Sequence, residues 1–500
     1  MLFVHKCQHK SKLIALSGLI LWWIVSSIRQ YIRLRHFDGP PTAAFSVLWL
    51  LWKTSGPRAH LEYYEACKKY GNITRVGPNE LITCELELLR KVNAARGNYT
   101  RSAWYKVLKF NPARENIGSQ RDGNYSGREI DGLESRIDKH ILALVRLIEN
   151  KYISQNKPFD FARKMTYLTL DALADIGFSQ DFGFLATDSD MFGYINAVET
   201  TLPFLIPLGI IPWVLSILQL PLVRNIFMPS DTDVFGFGRV VKLTNQITSD
   251  RYGPNRVVAP EKQQQQQRDM LDSFVRHGLT EQEASSETLT QIIAGSDTSA
   301  GTLRTTMLYI LSQARVVERL RREIAAVAPN LSRETVVADA ATRDMPYLQS
   351  VIKEGLRMVP PISGIQLKQV PLEGDYFNGI HLPGGTKIGL CSWGLMRRAD
   401  IWGDDAEQFR PERWEKATPE MEGAVDFVFG SGRFRCLGRN IAFIEINKVL
   451  VELIRRFDMA VVNPQNPWKA RNASLFLVSD FWVRAYPRVD EVSKAQETQV

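Results

Sequence analysis

Apolar positions fall into three kinds of pattern along this chain. Leu13 to Ile28 is apolar almost without interruption and reaches Ile32 if Arg29 snorkels. A run of that length predicts a membrane-spanning helix. Arg29, Arg33 and Arg35 follow it where a cleavage site would need small residues, so the segment reads as an uncleaved anchor over residues 1–36. Helical spacing then recurs from Ile137 to Tyr152, from Phe161 to Ile176 and from Glu281 to about Gln313. Ile441, Ile444, Val449, Leu450 and Leu453 continue it after Leu437. Tyr70 to Ile82 reads instead as two short strands around a Gly77-Pro78 turn. Thr201 to Met228 is apolar but interrupted by Pro203, Pro207, Pro212 and Pro221, which predicts a membrane-dipping lid rather than a second span.

Composition narrows the class. Hydrophobic residues at 45% and charged residues at 23% describe a globular chain with a large core, here residues 37–500 after an Asp38-Gly39-Pro40-Pro41 hinge. The net charge of +8 is modest, and no Lys/Arg block interleaved with aromatics points to nucleic acid. A membrane surface or an acidic protein partner suits it better. The five cysteines, at 7, 67, 84, 391 and 436, have no CxxC pair and no disulfide-framework spacing. The globule therefore belongs in a reducing compartment, where sequons such as Asn98-Tyr99-Thr100 and Asn472-Ala473-Ser474 go unused. Gln263–Gln267 is most simply a solvated loop.

Cys436 stands out from the other cysteines. Phe429-Gly430-Ser431-Gly432-Arg433-Phe434-Arg435-Cys436-Leu437-Gly438 sets one thiol behind a glycine-rich, basic turn at the start of a helix. The positive end of that helix favours thiolate, and backbone N–H groups of the turn can tune a metal bound to it. A lone cysteine is usually a buried core residue, whereas this setting suits an axial haem ligand. Ala294-Gly295-Ser296-Asp297-Thr298-Ser299 places polar residues inside a long helix. It reads either as a polar helix contact or as a local opening of the helix over a buried site, with Asp297 and Thr298 relaying protons. Glu354 and Arg357, at i and i+3, share one helix face.

These motifs resemble the cytochrome P450 superfamily. The loop 429–438 matches its haem-binding pattern at Phe429, Gly432, Cys436 and Gly438, but Phe434 stands where the pattern has arginine. Residues 294–299 resemble the motif over the oxygen-binding face, which implies that Thr298 hydrogen-bonds dioxygen and Asp297 gates proton delivery. Glu354 and Arg357, with Arg413 of Phe409-Arg410-Pro411-Glu412-Arg413-Trp414, match its buried Glu–Arg–Arg cluster. By the same resemblance Tyr70–Ile82 is the first sheet, residues 99–118 cover the substrate pocket, and Pro361–Gln366 and Leu475–Val478 line it. Asp269-Met270-Leu271 and Arg276-His277-Gly278-Leu279-Thr280 resemble the fungal pisatin-demethylase-like branch.

The resemblance implies a mainly α fold with small β-sheets and haem b, held by Cys436 with Phe429, Gly430, Gly432, Arg433, Arg435 and Gly438 around it. It implies electrons from NADPH through a membrane-bound reductase, with cytochrome b5 as a second candidate donor. Arg433, Arg435, Arg439 and Lys448 are the candidate docking face. The expected protein is a monooxygenase acting on a lipophilic small molecule, single-pass in the endoplasmic reticulum membrane and facing the cytosol. Three departures concern the haem carboxylates. The helix after Arg121 is short and interrupted by Gly118, Gly123, Gly127 and Gly132; position 434 is Phe; and the neighbouring strand offers Gln369, with Lys368 beside it. Arg433 and Arg435 are the residues expected to compensate. An isomerase or dehydratase of the same fold, or a non-catalytic relative with weakened haem binding, are the alternatives.

Overall fold

The computed structural model describes residues 24–108, 130–218, 236–252, 268–329 and 331–488, with a few isolated positions outside these ranges. The expected short helix after Arg121, the run Gln263–Gln267 and most of Leu13–Trp23 lie outside the described residues. Residues 24–33 are helical, and among the described residues no helix is long and apolar enough to cross a membrane.

The chain then runs through helices α1 (Leu48–Ser55) and α2 (Ala59–Tyr70), strands β1 (Ile73–Arg75) and β2 (Glu80–Thr83), helix α3 (Leu86–Val92) and strand β3 (Thr100–Arg101). Next come α4 (Leu133–Leu147), β4 (Phe159–Asp160), α5 (Phe161–Phe178), α6 (Tyr194–Leu208), α7 (Pro212–Leu218) and α8 (Phe237–Tyr252). The long helix α9 (Glu281–Leu311) leads to α10 (Ala314–Val327), α11 (Pro346–Met358) and strands β5 (Lys368–Gln369), β6 (Asp375–Phe377), β7 (Ile380–Leu382) and β8 (Lys387–Leu390). Helix α12 (Arg439–Arg456) follows the cysteine loop, and β9 (Phe457–Val461), β10 (Lys469–Ala473), β11 (Leu475–Ser479) and β12 (Trp482–Pro487) close the described chain.

Helix α9 is the axis of the molecule. Thr280 and Glu283 close a reciprocal capping box at its start, and the helix continues unbroken for 31 residues. It packs against α5, α8, α10, α11 and α12, so side chains on most of its faces are buried. The main sheet has the order β1-β2-β8-β5-β3, with β2 and β8 parallel and the other pairs antiparallel. The Gly77-Pro78 turn joins β1 to β2 as its alternation predicts.

The segment expected as a hinge is docked rather than free. Leu34 and Phe37 are buried beside Leu81, Val92 and Val370. Asp38 accepts a backbone hydrogen bond from Arg75, and a Cβ on Gly39 would lie 2.0 Å from the Arg75 carbonyl oxygen. The buried Arg75 guanidinium donates to the carbonyls of Gln30, Ala44 and Pro78, tying the start of the chain to the sheet. Globular packing thus begins at Leu34, ahead of residue 37. Asn472 is 1% exposed, so packing alone keeps its sequon unused.

Candidate active site

The polar cluster of α9 does not open the helix. Thr298 Oγ1 donates to the Ala294 carbonyl at 2.9 Å and Ser296 Oγ to that of Ile292 at 2.7 Å, so both hydroxyls bond back within a continuous helix. The two candidate relay residues diverge. Ala294 is exposed and Thr298 half-buried, one turn apart on one face, which leaves a strip of an otherwise covered helix open. Asp297 is buried on another face. Its carboxylate accepts from the Tyr194 hydroxyl at 3.4 Å and lines a small cavity with Arg163, Glu199 and Arg304. Burial pushes its pKa up, against the pull of Arg304.

The cysteine loop is shaped by its glycines. Gly430 and Gly432 take φ of 72° and 56°, the left-handed region glycine tolerates. A Cβ on Gly432 would meet the Asn93 carbonyl oxygen at 2.1 Å, and one on Gly430 would meet that of Phe434 at 2.6 Å. The Cys436 N–H donates to the Phe429 carbonyl at 2.6 Å, which closes the loop. The Phe429 ring packs on Phe443 of α12 at 5.3 Å. Cys67, Cys84 and Cys391 are buried, whereas Cys436 is exposed as a residue while its thiol is largely enclosed by protein. That enclosure pushes its thiol pKa up, opposed by backbone N–H groups of Gly438 and Arg439 and by the Arg439 guanidinium. Those groups lie near the sulfur and would stabilise a thiolate bound to a metal.

Glu354 is fully buried and takes its donors from two segments, its own helix α11 and residues 410–414. Arg357 donates from Nε at 2.9 Å and from Nη2 at 2.8 Å, and Arg413 Nε donates at 2.8 Å. The Arg410 N–H at 2.9 Å and the Trp414 indole N–H at 3.0 Å complete the set. Arg357 also donates to the carbonyls of Met396, Ala406 and Gln408, joining α11 to residues 396–414. The two turns expected to line the pocket lie side by side. Ser363 N–H donates to the Ser474 carbonyl at 2.8 Å, and Ile362 bridges to Leu475.

Cations gather where the loop meets the main sheet. Arg101 of β3 and Lys368 of β5 are directly opposed across the strands. The ring of Phe434 has Lys368 Nζ 3.7 Å from its centroid, Arg433 at 4.9 Å and Arg101 at 5.2 Å. Lys368 is buried and donates to the Tyr105 hydroxyl at 2.7 Å. Burial, then Arg101 and Arg433, push its pKa down to about 6. An exposed thiol at a helix start and a group of cations suited to carboxylates together fit haem, whose carboxylates these residues would hold.

Several candidates are placed differently from expectation. The inward cation of β5 is Lys368, while Gln369 is half-buried beside it, because neighbouring strand residues face opposite ways. Arg433 donates to the Tyr99 carbonyl and stays at the Phe434 ring. Arg435 points to the exposed Asp426 at 3.4 Å and does not join the cations. Lys448 cannot belong to a docking face: it is fully buried and paired with Glu134 at 2.5 Å and Asp138 at 2.7 Å. Arg439 pairs with Asp426 at 3.0 Å. Sequence reasoning also passed over Glu445. Its carboxyl is buried on α12, bonds Ser299 of α9, and is pushed up to about 8 by desolvation. The signal was an acid, like Glu452 further along, set among the apolar positions of that helix.

The family model for Cytochrome P450 matches residues 124–480. The cytochrome P450 monooxygenase ABA1 of Pyricularia oryzae is 37% identical, with 95% of this chain and 97% of the relative aligned. The cytochrome P450 monooxygenase aba1 of Botryotinia fuckeliana is 32% identical over 90% and 91%. The cytochrome P450 monooxygenase abl1 of Leptosphaeria maculans is 30% identical over 91% and 83%. With the helical frame, the small sheets and the cysteine loop in place, the chain belongs to the cytochrome P450 family, which implies haem, and is an oxidoreductase of its monooxygenase class.

Proposed function

We propose that the protein is a membrane-anchored monooxygenase that inserts one oxygen atom from dioxygen into a lipophilic small molecule of fungal secondary metabolism, with electrons from NADPH delivered by a partner reductase. One observation carries this reading. An exposed Cys436, with the backbone of Gly438 and Arg439 beside its sulfur, accompanies a strip of α9 that holds exposed Ala294 and half-buried Thr298. Haem b bound through Cys436 supplies the dioxygen chemistry. Thr298 offers a hydroxyl on the open strip, and Asp297, behind it, holds a proton more readily than an exposed carboxylate.

Membrane attachment is supported by the apolar run Leu13–Ile28 and by exposed apolar side chains on neighbouring elements. Trp52 of α1 is 70% exposed, and Phe204 of α6, against which α1 packs, is 78% exposed. Trp213 of α7 and Leu222 extend the exposed set. Such side chains suit a lipid surface and would admit substrate from the bilayer. On this reading the part of residues 1–36 that precedes Leu34 is a single-pass anchor in the endoplasmic reticulum, with the catalytic part in the cytosol. The reductase, or cytochrome b5, would dock where Arg435 and Arg439 are exposed beside the cysteine loop. The likeness of residues 269–280 to the pisatin-demethylase-like branch supports a natural-product substrate.

Purified protein, reduced and treated with carbon monoxide, should show the Soret band that names the family. Absence of that band would remove the reading. Consumption of NADPH and dioxygen in step with product, measured with a reductase in membranes, separates oxygen insertion from isomerisation or dehydration.

A further inference from the structure

Phe434 stands where the family pattern carries a guanidinium, yet cations surround its ring. Lys368 Nζ lies 3.7 Å from the centroid, within the range of a cation–π contact, and Arg433 and Arg101 lie at 4.9 and 5.2 Å. Arg101 and Lys368 are also cross-strand neighbours, an arrangement in which like charges repel. The hydroxyl of Tyr105 receives the Lys368 ammonium at 2.7 Å, and the Tyr105 ring lies 4.4 Å from Nζ and 4.9 Å from the Arg101 guanidinium. Among the described residues no carboxylate pairs with Lys368, and burial, then Arg101 and Arg433, push its pKa down. The aromatic faces therefore hold cationic groups of like sign together beside the cysteine loop.

We infer that Phe434 is a positioning residue, a ring platform that gathers Lys368, Arg101 and Arg433 into a cage for the haem carboxylates, so that the cation missing at 434 is supplied by Lys368. The inference rests on the haem reading above. It predicts that restoring the family's arginine harms haem retention. A guanidinium at 434 removes the ring and adds a fourth positive charge to three already in contact with it.

The test is haem loss from the full-length holoprotein to excess haem-free myoglobin, followed by absorbance. F434R should lose haem about tenfold faster than wild type, F434L should also lose it faster, and F434Y should match wild type. K368M should speed loss as well, and the double variant K368M/F434R should recover most of the wild-type rate, because it exchanges one cation position for the other. That rescue separates the cage from simple misfolding. Tighter haem binding by F434R, or no rescue by the double variant, overturns the inference. A wild-type protein that takes up no haem overturns the functional reading instead.

Discussion

Replacing Glu354 by glutamine keeps the shape of a fully buried polar group and removes its charge. One carboxylate oxygen of Glu354 accepts from Arg357 Nη2, the Arg410 N–H and Arg413 Nε. The other accepts from Arg357 Nε and the Trp414 indole. Whichever way the new amide turns, its NH2 faces at least two N–H donors and can accept from neither. Arg357 is fully buried and loses its only carboxylate among the described residues, whereas Arg413 keeps Asp405 at 3.1 Å. Breaking a buried pair by removing one partner's charge costs about 3–5 kcal/mol, and the orphaned donors place E354Q toward the upper part of that range. Urea unfolding of the holoprotein, followed by far-UV circular dichroism and by loss of the Soret band, reads this cost as a lower midpoint at unchanged slope. The two signals should fall together, because Glu354 ties residues 410–414 to α11, which packs on both α9 and α12. A cost under about 1 kcal/mol would refute the argument that five donors depend on one charge.

Glu445 supplies a pH test. Its carboxyl is raised from the ordinary 4.5 to about 8, so between those values the folded protein keeps a proton that the unfolded chain has lost. Its stabilising contribution is complete below pH 4.5 and is lost as pH rises through about 8, a slope worth on the order of 4 kcal/mol. Midpoints measured from pH 5 to 8 should therefore slope less in E445Q; identical slopes would discard the assignment. T298A should lower product formation about 100-fold without changing haem content, as expected for loss of a positioned proton donor, and an unchanged rate would remove Thr298 from the chemistry. C436S should fold to the same helical content while losing the thiolate-specific carbon monoxide band, and persistence of that band would exclude Cys436 as the ligand. K448M leaves Glu134 and Asp138 without their buried cation and should cost about 3–5 kcal/mol in urea midpoints while leaving the position of that band unchanged.

The parts of the fold that were legible in the sequence are those carried by contiguous residues. Cys436 could be picked out because its glycines, its arginines and the following helix lie within one short stretch, and each states a local backbone or charge requirement. Glu354 and Arg357 show their pairing through helical spacing alone, but Arg413 joins them only through the resemblance, since no local rule reaches 59 residues. What stayed hidden depends on which way a side chain faces. Strand β5 is two residues long, so its alternation could not say whether Lys368 or Gln369 faces inward. Lys448 reads as a surface cation on α12, yet Glu134 and Asp138, more than 300 residues away, draw it fully into the core. The polar cluster in α9 suggested an opened helix, whereas its hydroxyls find acceptors one turn back and leave the backbone intact.

These orientations explain how a loop of glycines can hold a sulfur in a defined place. The loop contributes little rigidity of its own; the elements around it do. Helix α12, which starts three residues after Cys436, is held to α4 by Lys448 and to α9 by the Glu445–Ser299 contact. The ring of Phe429 packs on the same helix, and Gly432 fits against the Asn93 carbonyl beyond α3, where a methyl group has no room. The cysteine is thus positioned by contacts to a helix on one side and to backbone on the other. Thr298 takes its place from α9, to which α12 is joined. The sulfur and the hydroxyl share one frame, so a change that loosens α12 should disturb both, whereas a change confined to the exposed Arg435–Asp426 pair should disturb neither.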